Sequence, residues 1–102
     1  MMNGPLPIPL PMTRITEFCR RYGAARLSLF GSVIRDDFTS ESDVDVFVEF
    51  RPGTRIGLIG MANMQAELRE AVGRRVDLRT PADLSRYFRD EAVARARLLH
   101  AA

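Results

Sequence analysis

The chain has 102 residues, 46% hydrophobic and 27% charged, enough for one small domain with one core and too short for two. No apolar run approaches the roughly 20 residues that span a bilayer, and a lone Cys19 excludes a disulfide framework or a metal–thiolate cluster, pointing to a reducing cytoplasm. The net charge of +2 hides an uneven distribution: Asp36, Asp37, Glu41, Asp43, Asp45 and Glu49 crowd one segment, whereas the 15 basic residues, all Arg, are scattered. Scattered arginines make no basic patch, so no direct nucleic-acid contact is expected, and no membrane contact either.

Residues 1–12, MMNGPLPIPLPM, alternate Pro with apolar side chains and lack a positive start, so they read as a flexible, extended arm rather than a secretion signal. Residues 13–102 then form the domain. Ile15, Phe18, Cys19 and Tyr22 recur at helical intervals before Gly23, a natural stop. ARLSLF reads as a strand running into Gly31, and SDVDVFVEF, rich in Val and Phe, is the strongest strand signal in the chain. After a turn at RPGT, Leu58, Met61, Met64, Leu68 and Val72 predict one face of a helix that ends at Gly73. RRVDLRT is a third strand. From Pro81, the spacing of Leu84, Phe88, Ala92, Ala96 and Leu99 predicts helix to the C-terminus, with His100 frayed at its end. The sum is an α+β (α/β) domain: a small mixed β-sheet packed on helices.

The chemistry concentrates in GSVIRDDFTSESDVDVFVEF, residues 31–50. Asp43 and Asp45 alternate with Val44 and Val46, which places the two carboxylates on one strand face and the valines on the other. Carboxylates held that close repel each other, and a divalent cation such as Mg²⁺ removes the penalty by taking them as hard oxygen ligands. Asp77, inside VDL, supplies a third carboxylate if its strand neighbours theirs. Three carboxylates facing one cleft are what a two-metal phosphoryl or nucleotidyl transfer requires. Upstream, Gly31 lets the backbone approach a phosphate, and Ser32 offers a hydroxyl and an amide at a following helix start, or serves as a plain N-cap. Arg35 is open to a phosphate or to a surface ion pair with its acidic neighbours. Asp36, Asp37, Glu41 and Glu49 read as solvated background. Cys19 and Met64 read as core, as does Met61, and Tyr87 and Phe88 as packing against the sheet.

Gly31-Ser32, ten residues, then Asp43-Val44-Asp45 resembles the G-S-x10-D-x-D signature of the DNA polymerase β-like nucleotidyltransferase superfamily. With GRRVDLRTPADLSRYFRDEAVARA further on, most of the chain is similar to the minimal nucleotidyltransferases, in particular the MntA-type antitoxins. The resemblance implies that Gly31 and Ser32 hold the triphosphate of ATP, to which Arg35 is a further candidate contact. It also implies that Asp43, Asp45 and Asp77 hold Mg²⁺, two ions in all, and carry catalysis. By the same resemblance the activity is transfer of AMP to a tyrosine of a HEPN-family ribonuclease toxin, which is the acceptor and the partner in a hetero-oligomer. Two competing readings are a non-catalytic antitoxin acting by contact and a small-molecule nucleotidyltransferase of the antibiotic-modifying kind. Asp36 departs from the pattern, since many members have Gly there.

Overall fold

The computed structural model describes residues 10–34, 38–39, 41–83, 90 and 94–101. The first helix, α1 (Met12–Tyr22), turns Ile15, Phe18 and Cys19 inward. It ends at Gly23, whose left-handed backbone (φ 74°) lets its N–H donate to the Cys19 carbonyl. Arg20 and Arg21 lie in the last turn, where a cation suits the negative end of the helix dipole. Leu10 packs against the core just ahead of the helix.

Four strands follow: β1 (Ala24–Phe30), β2 (Val44–Phe50), β3 (Val76–Arg79) and β4 (Arg97–Ala101). They form one sheet in the order β3-β2-β1-β4. β1 is antiparallel to both β2 and β4, whereas β2 and β3 are parallel. The second helix, α2 (Leu58–Val72), is the crossover that a parallel pair demands.

Pleating separates two chemistries. Leu27, Leu29, Val44, Val46, Val48, Val76 and Leu78 enter the core together with Ile15, Phe18, Cys19, Met64 and Leu68 from the helices. The intervening residues, among them Ser28, Phe30, Asp45, Phe47 and Asp77, occupy the other face. Slipping β2 by one residue would exchange three buried valines for Asp45, Phe47 and Glu49. At about 1.5–3 kcal/mol per buried aliphatic side chain, the pattern fixes the register that places Asp45.

Two expectations are corrected. The C-terminal stretch RLLHA is a strand rather than helix, and His100 is paired with Leu27 instead of frayed. A short apolar run carries no decisive period, and here it gives β1 a second hydrogen-bonded neighbour in place of a bare edge. Leu84, Tyr87, Phe88 and Ala92 lie outside the described residues. Leu58 does not share the core face of α2: it is 91% exposed, and Ile59 79%. Six residues at the helical pitch put Leu58 roughly 120° around the axis from Met64. The buried face runs instead through Met64 and Leu68, flanked by the partly buried Met61 and Val72.

Candidate active site

The strand carrying Asp77 does lie beside β2. In the parallel register Asp45 stands directly opposite Asp77, flanked by Val44 opposite Val76 and Val46 opposite Leu78. The two acidic residues therefore share a face, on backbones about 4.8 Å apart, while the valines and Leu78 on either side enter the core. On the antiparallel side Asp45 is opposite Phe30, the last residue of β1. Phe30 and Phe47 stack on one another with centroids 3.8 Å apart and planes 4° from parallel, walling the site with aromatic surface.

Gly31 begins a four-residue 3-10 turn, Gly31–Ile34, with φ of 73°. A side chain there meets two obstacles at once. The left-handed backbone disfavours any L-residue, and a Cβ would stand 3.3 Å from Cγ of Asp45 and collide with its Oδ2. The missing side chain thus brings the chain against the Asp45 carboxylate, and Val33, buried two residues later, anchors the turn in the core. Ser32 is the second residue of this turn; its side chain, like the whole of Arg35, Asp36 and Asp37, lies outside the described residues.

Asp43 precedes β2 by one residue. The Val44 N–H donates to the Arg75 carbonyl at 2.9 Å, so the parallel pairing extends back and sets Asp43 beside Arg75. Their side chains meet, Arg75 Nε to Asp43 Oδ1 at 3.1 Å. Asp77 is engaged by Arg79, whose Nε and Nη2 both reach Oδ2 at 3.0 Å. Among the described residues no three His, Cys, Asp or Glu side chains converge as a ready metal cage. The donor set nonetheless suits a hard divalent cation. It consists of carboxylate oxygens, and Asp43 and Asp77 each already hold a cationic guanidinium.

β3 ends the sheet, and its outward backbone groups are met by α2. Gln65 Oε1 accepts the Leu78 N–H at 3.0 Å, and Arg69 Nε donates to the Val76 carbonyl at 3.2 Å. Those bonds bracket Asp77 from both sides and fix a strand of only four residues.

The structure therefore brings Gly31, Asp45 and Asp77 together and sets Asp43 at their margin. The arginine partners were absent from the sequence reading. R-V-D-L-R alternates Arg75, Asp77 and Arg79 at the strand period, and that alternation was the available signal.

Residues 12–99 match the nucleotidyltransferase domain family. A putative protein adenylyltransferase of Methanocaldococcus jannaschii is 34% identical over 67 residues, covering 66% of this chain and 70% of its own length. A solved putative minimal nucleotidyltransferase superposes with a TM-score of 0.69 at 30% identity, over 83% of this chain and 85% of that one. A toxin–antitoxin complex with AMP-PNP gives 0.72 at 21% identity, over 91% and 75%. A tri-AMPylated HEPN toxin of Shewanella oneidensis in complex with an MNT antitoxin gives 0.62 at 20%, over 89% and 70%. The chain belongs to the nucleotidyltransferase domain family. Within it, the mixed sheet of the described residues, with α1 and α2 packed on it, is the minimal nucleotidyltransferase fold.

Proposed function

We propose that this nucleotidyltransferase is the antitoxin of a toxin–antitoxin pair and uses ATP and Mg²⁺ to transfer AMP to a tyrosine hydroxyl of a HEPN-family toxin. The observation that carries the reading is the register of Asp45 against Asp77 with Gly31 folded onto the Asp45 carboxylate. It sets a backbone turn fit for phosphate beside carboxylates fit for metal. The relatives agree in kind, one being described as a protein adenylyltransferase and others as antitoxins held with their toxins, one toxin tri-AMPylated.

In this reading Asp43, Asp45 and Asp77 hold the metal, which supplies charge neutralisation at the triphosphate and acidifies the acceptor hydroxyl. Gly31 and Ser32 present the turn to the phosphates, and Arg35, next along the chain, adds a cation. The tyrosine oxygen forms a bond to the α-phosphorus as the bond to the bridging oxygen breaks, and pyrophosphate leaves with that electron pair. Asp77, on the edge strand, takes the tyrosine proton. Positioning and charge do most of the work in such transfers.

The test mixes the purified protein, ATP and Mg²⁺ with a HEPN toxin and follows AMP addition to the toxin by intact mass. Wild type adds AMP to a tyrosine; Asp45→Asn and Asp77→Asn each slow the addition by about 10³-fold, since several kcal/mol of metal-borne stabilisation is lost. Full neutralisation of the toxin by an Asp43→Ala/Asp45→Ala protein, without AMP transfer by wild type, would replace this reading with inhibition by contact.

A further inference from the structure

The two arginines of β3 and its approach, Arg75 and Arg79, have no part in the reading above, and they lie on the carboxylates that it assigns to metal. Arg75, Asp77 and Arg79 alternate along one extended segment, so their side chains share the face that carries Asp45. Arg75 meets Asp43 and Arg79 meets Asp77. Arg79 spends both of its contacts on Oδ2 of Asp77.

Resting on the metal reading, we propose that Arg75 and Arg79 are exchangeable counter-ions: they hold the carboxylates while the metal is absent and pass to the triphosphate when it arrives. Three features carry the exchange. First, guanidinium forks match carboxylate and phosphate oxygens equally well, so neither arginine is dedicated to its present partner. Second, both pairs sit at the solvent boundary, with the Arg75 side chain 71% exposed and that of Arg79 45%, so releasing them costs little. Third, the chain contains no lysine, which leaves phosphate charge to arginines and backbone amides. Metal and nucleotide then assist one another, because the cation frees the groups that the triphosphate needs.

The experiment measures Mn²⁺ binding by electron paramagnetic resonance and AMP-PNP binding by calorimetry on the full chain, for wild type, Arg79→Gln, Arg75→Gln and Arg26→Gln. Arg26 pairs with Glu49 further along the sheet and serves as a control for the general field. Arg79→Gln binds Mn²⁺ about 3-fold more tightly without nucleotide, because an exposed ion pair no longer competes. It binds AMP-PNP with Mn²⁺ about 10-fold more weakly, through loss of a charged hydrogen bond. Arg75→Gln moves both constants in the same directions by less, and Arg26→Gln moves neither. Arg79→Gln and Arg75→Gln that leave Mn²⁺ affinity unchanged or lower it overturn the exchange alone, as does an Arg26→Gln shift equal to theirs. Wild type that takes up no Mn²⁺ even with AMP-PNP overturns the metal reading and the exchange with it.

Discussion

Gly31→Ala tests the contact on which the site is built. Three glycines separate its two effects: Gly31, Gly53 and Gly73 all have left-handed backbones, with φ of 73°, 86° and 82°. A Cβ at Gly53 or Gly73 meets no atom within 4 Å, whereas at Gly31 it runs into the Asp45 carboxylate. The left-handed backbone costs alanine about 1–2 kcal/mol, of which about 0.4–1 kcal/mol returns because the unfolded chain is stiffer. Gly53→Ala should therefore destabilise by about 1 kcal/mol in urea unfolding. Gly31→Ala adds the displacement of a carboxylate, about 1–3 kcal/mol by the usual cost of overfilling a packed site, for about 2–4 kcal/mol in all. Replacing Asp45 by Ala removes Cγ and Oδ2 and leaves only its Cβ, at an ordinary 3.5 Å. In an Asp45→Ala background the cost of Gly31→Ala should consequently fall to that of Gly53→Ala. Equal costs for Gly31→Ala and Gly53→Ala, with no coupling to Asp45, would refute the claim that the turn rests on this carboxylate.

Cys19 is fully buried, and burial pushes its thiol up to about 11. A thiol reagent at pH 8 should label it only as fast as the protein unfolds. Because the unfolded thiol ionises at lower pH, stability should also fall as pH rises toward 11, a slope that Cys19→Ala removes. The Tyr22 hydroxyl, at the end of α1, holds the Glu67 carboxyl of α2 below its ordinary range, with Arg21 Nη1 at 3.0 Å from Oε1 adding to it, although Oε2 completes no hydrogen bond of good geometry. A depressed carboxyl stabilises the fold above its unfolded pKa and loses that contribution as pH falls through its folded one. Glu67→Gln should thus cost about 0.5 kcal/mol at pH 7, small because the pair is solvated, and progressively less as pH falls through the carboxyl's folded pKa. Urea midpoints of the two proteins across that range provide the measurement.

The sequence carried the functional elements better than the frame around them. Period-two alternation in VDVFVEF and VDL located β2 and β3 and divided acid from valine. Which strand lies beside which is a non-local matter, so Asp45 opposite Asp77 was a condition until the topology met it. Leu58 shows a limit of another kind. Apolar spacing tolerates a residue at the margin of a helical stripe, and only the position of the core decides whether it is covered. RLLHA shows the same limit, its fate set by the open side of β1 rather than by its own pattern. The ion pairs of Arg75 and Arg79 are not legible in any one charged residue of the strand; they lie in the alternation of Arg75, Asp77 and Arg79.

The two bonds from Gln65 and Arg69 to β3 also close one edge of the sheet to a further strand. A terminal strand ordinarily invites another chain to continue the sheet by main-chain pairing. On β3 the Leu78 amide and the Val76 carbonyl are already engaged by α2, so an incoming strand finds no ladder alongside Asp77. On the proposed function, an acceptor tyrosine would therefore reach Asp45 and Asp77 otherwise than on a strand added beside β3.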